Sequence, residues 1–271
     1  MSLLYILELL LAGAVAGFGA GYLGIGGGVI LTPVCLILYP ILGVVTPDLV
    51  KIIFGTNMFL VTAFSTASAI SHHRNNRVDW QTVAIIVPAA VIGSILGPWA
   101  ASISSPVMLK KAFAVLLIVS SLLIVLKGSI KPDGRLDGNP ILSRKFLPIL
   151  GFITGFLGSF LGIGGGIVMI PVFILLFALS MNVIAGTSSA IIIFIGITST
   201  LSYMWYGQVM QFVLQGWSTG FVWWSAAIPL AIGGIPCAAL GAHLNAKTHS
   251  KILRRVFGAV LLLLALRILL S

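Results

Sequence analysis

Apolar residues come in long unbroken runs along this chain, separated by short polar interruptions. The runs extend from Leu3 to Leu23, Val29 to near Ile41, Val50 to about Ser71, Thr82 to Ala101 and Val107 to Leu126. They resume from Phe146 to Leu161, Ile167 to Leu179, a span reaching about Tyr206, Trp223 to Ala242 and Val256 to Leu270. Strands of a membrane barrel would alternate apolar and polar positions, and these runs do not. The pattern predicts an all-α polytopic membrane protein.

Two of the interruptions are the same. Leu23-Gly24-Ile25-Gly26-Gly27-Gly28 returns 138 residues later as Leu161-Gly162-Ile163-Gly164-Gly165-Gly166. Gly17-Phe18 answers Gly155-Phe156, and Pro33-Val34 answers Pro171-Val172. Glycine costs about 1 kcal/mol relative to alanine at a helical position, so three in a row predict a break at membrane depth. Val29–Leu38 and Ile167–Phe177 are then expected to start new helices. Such helix starts carry free N–H groups and roughly half a positive charge each. Two of them facing each other would bind an anion with no charged side chain.

The duplication extends further. Gly186-Thr187-Ser188 stands where Gly55-Thr56-Asn57 stood, and Leu240-Gly241 answers Leu96-Gly97. The chain divides into a membrane repeat over residues 1–126, a linker over 127–145 and a second repeat over 146–271. Each half has five apolar segments, with glycine-broken short helices near the membrane midplane. If each broken pair goes in and returns, the halves have opposite orientation. Arg74, Arg77, the central-loop cations and Lys247 to Arg255 then share one face: eleven cations against the four of Lys51, Lys110, Lys111 and Arg267. A parallel repeat gives eight against seven. The asymmetry favours an inverted repeat with both termini outside and the central loop cytoplasmic. Segments of 15 residues rise about 22 Å, short of the roughly 30 Å core, which favours partial penetration by the broken pairs. Charge does not separate re-entry from full crossing.

Composition adds to this. Of 271 residues, 59% are hydrophobic and 7% charged, against about 25% charged in soluble domains. The net charge of +10 lies in short loops, so it sets orientation and implies no nucleic-acid partner. Cys35 and Cys237 lie in apolar runs and read as packed small residues. The first run lacks a basic leader and reads as a permanent part of the fold.

The glycine clusters with Pro33 and Pro171, the Gly-Thr-Asn and Gly-Thr-Ser triplets and Leu240-Gly241-Ala242 resemble the sulfite exporter TauE/SafE family, the TSUP transporters. The resemblance covers essentially the whole chain. It implies a multi-pass exporter of the cell membrane, carrying a small sulfur-containing or organic anion such as sulfite. It leaves the anion, the direction, the coupling ion and the oligomeric state open.

The candidate substrate-binding residues are Gly26, Gly27, Gly28, Thr56 and Asn57 in the first half, and Gly164, Gly165, Gly166, Thr187 and Ser188 in the second. Close helix packing competes as a role for the glycines, and bonding to the preceding turn competes for the hydroxyls. Gly19-Ala20-Gly21-Tyr22-Leu23-Gly24 fits a dinucleotide fingerprint in letters, but no strand precedes it. His72, His73 and His243 are expected to be solvated, and the tryptophans to sit at the membrane interface. No metal ligands, cofactor or catalytic residues are expected. The alternatives are a passive anion channel and, more remotely, an intramembrane enzyme, which would need a nucleophile with its base or paired carboxylates at membrane depth.

Overall fold

The computed structural model describes residues 3–126, 144–176, 181–212 and 217–248. Within them the chain is helical apart from one small hairpin. The first half supplies α1 (Leu3–Leu23), α2 (Gly28–Ile41), α3 (Leu49–Arg74), α4 (Trp80–Ile103) and α5 (Pro106–Leu126). The second supplies α6 (Leu147–Phe160), α7 (Gly166–Leu176), α8 (Met181–Val209) and α9 (Trp224–Lys247). Strands β1 (Ser218–Thr219) and β2 (Val222–Trp223) form an antiparallel ribbon before α9. The expected last span, the central loop and most of the glutamine-containing loop after α8 lie outside the described residues.

Among the described residues, five helices are long and apolar enough to cross a membrane: α1, α3, α4, α8 and α9. The protein is therefore an all-α, multi-pass membrane protein. The broken helices are unequal. Helices α2 and α6 have 14 residues each, near the expected length, whereas α1 has 21 and is long enough to span. The structure also carries α9 to Lys247, past the expected end at Ala242, and keeps His72 to Arg74 on the last turn of α3.

Helices α3 and α8 form the centre. The most apolar windows of these two are 67% and 72% buried, against 33% to 44% for α1, α4 and α9. The outer helices turn apolar stripes outward. On α1 these are Leu4, Leu7, Leu11, Val15 and Phe18, spaced three or four residues apart. Such a stripe would be unstable in water and suits hydrocarbon.

The two halves exchange outer helices. Helix α1 packs along α9, and α6 packs along α4. Both seams rest on small residues that let backbones approach. A Cβ at Gly17 would strike the backbone of Gly234, and one at Gly155 the backbone of Ala90. A Cβ on Gly241 would strike the carbonyl of Phe18, and one on Gly97 would lie 2.7 Å from the carbonyl oxygen of Phe156. Each contact has its counterpart with the roles of the halves swapped.

Candidate functional site

The glycine clusters do break the helices. Helix α1 stops at Leu23 and α2 begins at Gly28; α6 stops at Phe160 and α7 begins at Gly166. Gly24, Gly26 and Gly27 have φ of 73°, 79° and 84°, and Gly162, Gly164 and Gly165 have 64°, 82° and 86°. These are left-handed conformations that side chains disfavour, so the repeated glycines have a backbone reason to be glycine.

The two breaks meet in the middle of the protein. A Cβ built on Gly28 would lie 2.7 Å from the Gly162 carbonyl oxygen and 2.7 Å from Ile163 Cα. One built on Gly166 would lie 3.0 Å from the Gly24 carbonyl oxygen and 2.8 Å from Ile25 Cα. Residues 24–28 and 162–166 are all buried. Val61 of α3 and Ile192 of α8 hold equivalent positions in the two repeats, and both press on Gly26 and Gly164. Their methyl groups fill the space between the two helix starts.

The polar groups around the breaks have definite partners. Ser188 Oγ donates to the Gly24 carbonyl at 2.8 Å. Asn57 Nδ2 donates to Thr32 Oγ1 at 2.9 Å, and Thr32 Oγ1 donates to the Gly28 carbonyl at 2.9 Å. The central helices therefore clamp the first break on both sides, through its carbonyls. The N–H groups differ. Among the described residues, nothing accepts from the N–H of Gly26, Gly27 or Gly28, or from that of Gly165 or Gly166. Buried N–H groups without acceptors are rare and costly. Two further groups nearby are also unpartnered: Ser65 Oγ, which lies 3.4 Å from the Cβ position of Gly26, and Asn57 Oδ1. Ser65 carries no motif and escapes sequence reasoning; its only signal is a place two turns beyond Gly55-Thr56-Asn57 on the same helix.

Thr56 and Thr187 do something the motif does not announce. The Trp223 N–H donates to Thr56 Oγ1 at 3.0 Å, and the Asp79 N–H donates to Thr187 Oγ1 at 3.0 Å. Asp79 and Trp223 are the residues immediately before α4 and α9. Each threonine thus holds the start of a helix in the other half. Of the ten residues picked from sequence, the six glycines, Asn57 and Ser188 gather at the breaks, while the two threonines reach toward the exchanged helices.

The expectation for His72 fails. It is fully buried, and its Nε2 lies 3.4 Å from the Gly21 carbonyl in the last turn of α1. Adjacent basic residues suggested solvation, but α3 is a central helix and the side chain points inward. His73 and His243 are exposed, as expected. Glu8 is half-buried on α1. Among the described residues, no group of three or more His, Cys, Asp or Glu could hold a metal.

The comparisons with known proteins agree with this architecture. The family model described as sulfite exporter TauE/SafE matches residues 9–268. A probable membrane transporter protein of Haemophilus influenzae is 28% identical over 98% of this chain and 99% of its own length. One from Methanocaldococcus jannaschii is 29% identical over 96% of the chain and 93% of its own length. The probable membrane transporter protein YunE of Bacillus subtilis is 24% identical over 94% of each chain. No solved structure matches.

Proposed function

The chain belongs to the sulfite exporter TauE/SafE family, and on that premise we propose that it exports a small anion, sulfite or a related sulfur-containing or organic anion. The anion binds between the two glycine-broken helix starts. One observation carries this reading: the N–H groups of Gly26–Gly28 and of Gly165 and Gly166 lie buried without acceptors, on opposed ends of α2 and α7. An oxyanion would satisfy several of them at once, aided by the partial positive charge of each helix start. Ser65 and Asn57 are neutral, so the anion can leave; a buried arginine would hold it too well.

Val61 and Ile192 favour a carrier over an open channel. Their side chains occupy the space between the breaks, so binding requires them to withdraw. Rocking of one half against the other about the exchanged helices would do this. The proposed orientation is an inverted repeat with both termini outside and the loop over residues 127–145 inside, which places eleven cations on the cytoplasmic face. A negative interior expels an anion with about 2.3 kcal/mol per charge per 100 mV, so export needs no coupling ion.

The test is sulfite binding and flux in proteoliposomes. Gly27→Val and Gly165→Val are expected to abolish both, since a branched side chain at these φ values displaces the helix start. Retained affinity in both variants, in protein that is folded by its melting profile, would leave the glycines as packing residues.

A further inference from the structure

Hydrogen-bond direction can be followed outward from the first break, because a carbonyl oxygen only accepts. Thr32 Oγ1 meets the Gly28 carbonyl at 2.9 Å, so the threonine hydroxyl donates its one proton there. The atom of Asn57 that lies 2.9 Å from Thr32 Oγ1 must then be a donor, the amide nitrogen Nδ2. The amide is thereby locked. Its oxygen, Oδ1, is turned away from Thr32, and it is buried with no donor to it. Asn57 and Ser65 stand one turn before and one turn after Val61 on α3. The methyl groups of Val61 lie 3.0 and 3.1 Å from the Cβ positions of Gly26 and Gly28. An acceptor of fixed direction is therefore built beside the break whose N–H groups lack acceptors.

The second half does not repeat this arrangement. With Gly28 matched to Gly166 and Val61 to Ile192, Ile170 stands for Thr32, Ser188 for Asn57 and Gly196 for Ser65. Ser188 gives its hydroxyl proton to the Gly24 carbonyl. The backbone of the breaks is duplicated, but the side chains that orient an acceptor come from α2 and α3.

We propose that Asn57 Oδ1 makes the central site selective for a monoanion that bears a hydroxyl, hydrogensulfite or an ion of that class, over anions with no hydrogen to give. This rests on the reading of the protein as an anion carrier with its site at the glycine breaks. The free N–H groups of Gly26 to Gly28 take the anionic oxygens, and the ion's hydroxyl donates to Asn57 Oδ1. An ion without a hydroxyl brings only lone pairs and sets one of them against Oδ1, in a buried site that screens the repulsion poorly. Ser65 Oγ can donate or accept, so it binds either kind of ion and does not discriminate. Asn57 decides the choice of ion, and Thr32 is a positioning residue that acts through it.

Thermal stabilisation of the purified full chain by two pairs of sodium salts tests this. In each pair a methyl group replaces the hydroxyl: hydrogensulfite with methanesulfonate at mildly acidic pH, and hydrogencarbonate with acetate at mildly alkaline pH, all at equal ionic strength. In any pair that binds, the wild type should hold the hydroxyl-bearing ion about tenfold more tightly, the value of one hydrogen bond. Asn57→Leu removes the acceptor and should bring the two affinities together. Thr32→Val is the milder check: it unlocks the amide, which can then turn its N–H to the ion, and should also erase the preference. A role in folding alone would weaken both members of a pair and leave their ratio. Equal affinities in the wild type overturn the inference, as does a preference that survives both variants, or survives Thr32→Val where Asn57→Leu does not fold. Equal affinities that are lost in Gly27→Val would keep the central site without its selectivity. A preference that depends on Asn57 but persists in Gly27→Val would keep the selectivity and move the ion off the glycine N–H groups. Absence of binding in both pairs removes the selectivity and the site together.

Discussion

Alanine substitutions at the glycine breaks separate backbone strain from contact between the halves. Gly43 has φ of 86° and nothing within 4 Å of a would-be Cβ, so Gly43→Ala costs backbone strain alone, about 1–2 kcal/mol. Gly28 has no left-handed φ, but its Cβ would come within 2.7 Å of the Gly162 carbonyl and 2.7 Å of Ile163 Cα. Both obstacles are backbone, so the opposing break must shift, at about 1–3 kcal/mol for overpacking. Gly164 combines φ of 82° with contacts to Val61 and Ile192, and should lose about 2–5 kcal/mol. Alanine also restricts the unfolded chain by about 0.4–1 kcal/mol at every position, which drops out of the comparison. The informative measurement is a double-mutant cycle on unfolding free energy in detergent, followed by tryptophan fluorescence. Gly28→Ala and Gly166→Ala push on the same gap from opposite sides. Once one has opened it, the second should cost about 0.5–3 kcal/mol less than alone. Gly28→Ala with Gly43→Ala should be additive. Additivity of the Gly28 and Gly166 pair would mean that the two breaks do not touch, and the central site would go with that contact.

Thr56→Val and Thr187→Val should each cost about 1–3 kcal/mol of stability by orphaning the N–H of Trp223 or Asp79; a loss of anion affinity larger than the loss of stability would return these hydroxyls to the ligand. Asp79→Ala removes the side chain that accepts from the N–H groups of Gln81 and Thr82 at the start of α4, and should lower the unfolding free energy by about 0.5–2 kcal/mol. Val61→Ala with Ile192→Ala should raise anion flux by loosening the plug between the breaks; unchanged or slower flux with wild-type stability would deny them a gating role. Single cysteines at Asp137 and Gln215 should label from opposite faces of the membrane, and labelling from one face would contradict the inverted orientation. Flux should follow an imposed potassium-diffusion potential without a pH difference; flux that follows only pH would replace uniport with proton coupling.

Apolar runs and glycine breaks were legible because they are local: hydropathy sets the spans, and consecutive glycines stop a helix wherever they occur. The pairing of α1 with α9 and of α6 with α4 was not, since the small residues on those helices mark a close contact without naming its partner. The duplicated Gly-Thr motif was seen, but its reach was not. Thr56 and Thr187 serve N–H groups 167 and 108 residues away in sequence. His72 was misplaced because a histidine beside arginines looks solvated until the burial of α3 is known. Ser65 looked like any hydroxyl on a membrane helix, and only its unpartnered Oγ beside Gly26 sets it apart.

The exchanged threonine bonds bear on how the protein is made. Helix α4 leaves the ribosome with the Asp79 N–H unpaired, and its acceptor, Thr187, is synthesised 108 residues later. Helix α9 then finds its acceptor, Thr56, already waiting in the bilayer. The first half must therefore persist in lipid as an unfinished partner until the second arrives, so its membrane insertion and its final packing are separate events. Two polypeptides cut in the linker and produced together should find each other and restore transport, whereas either fragment made alone should be a substrate for membrane quality-control proteases.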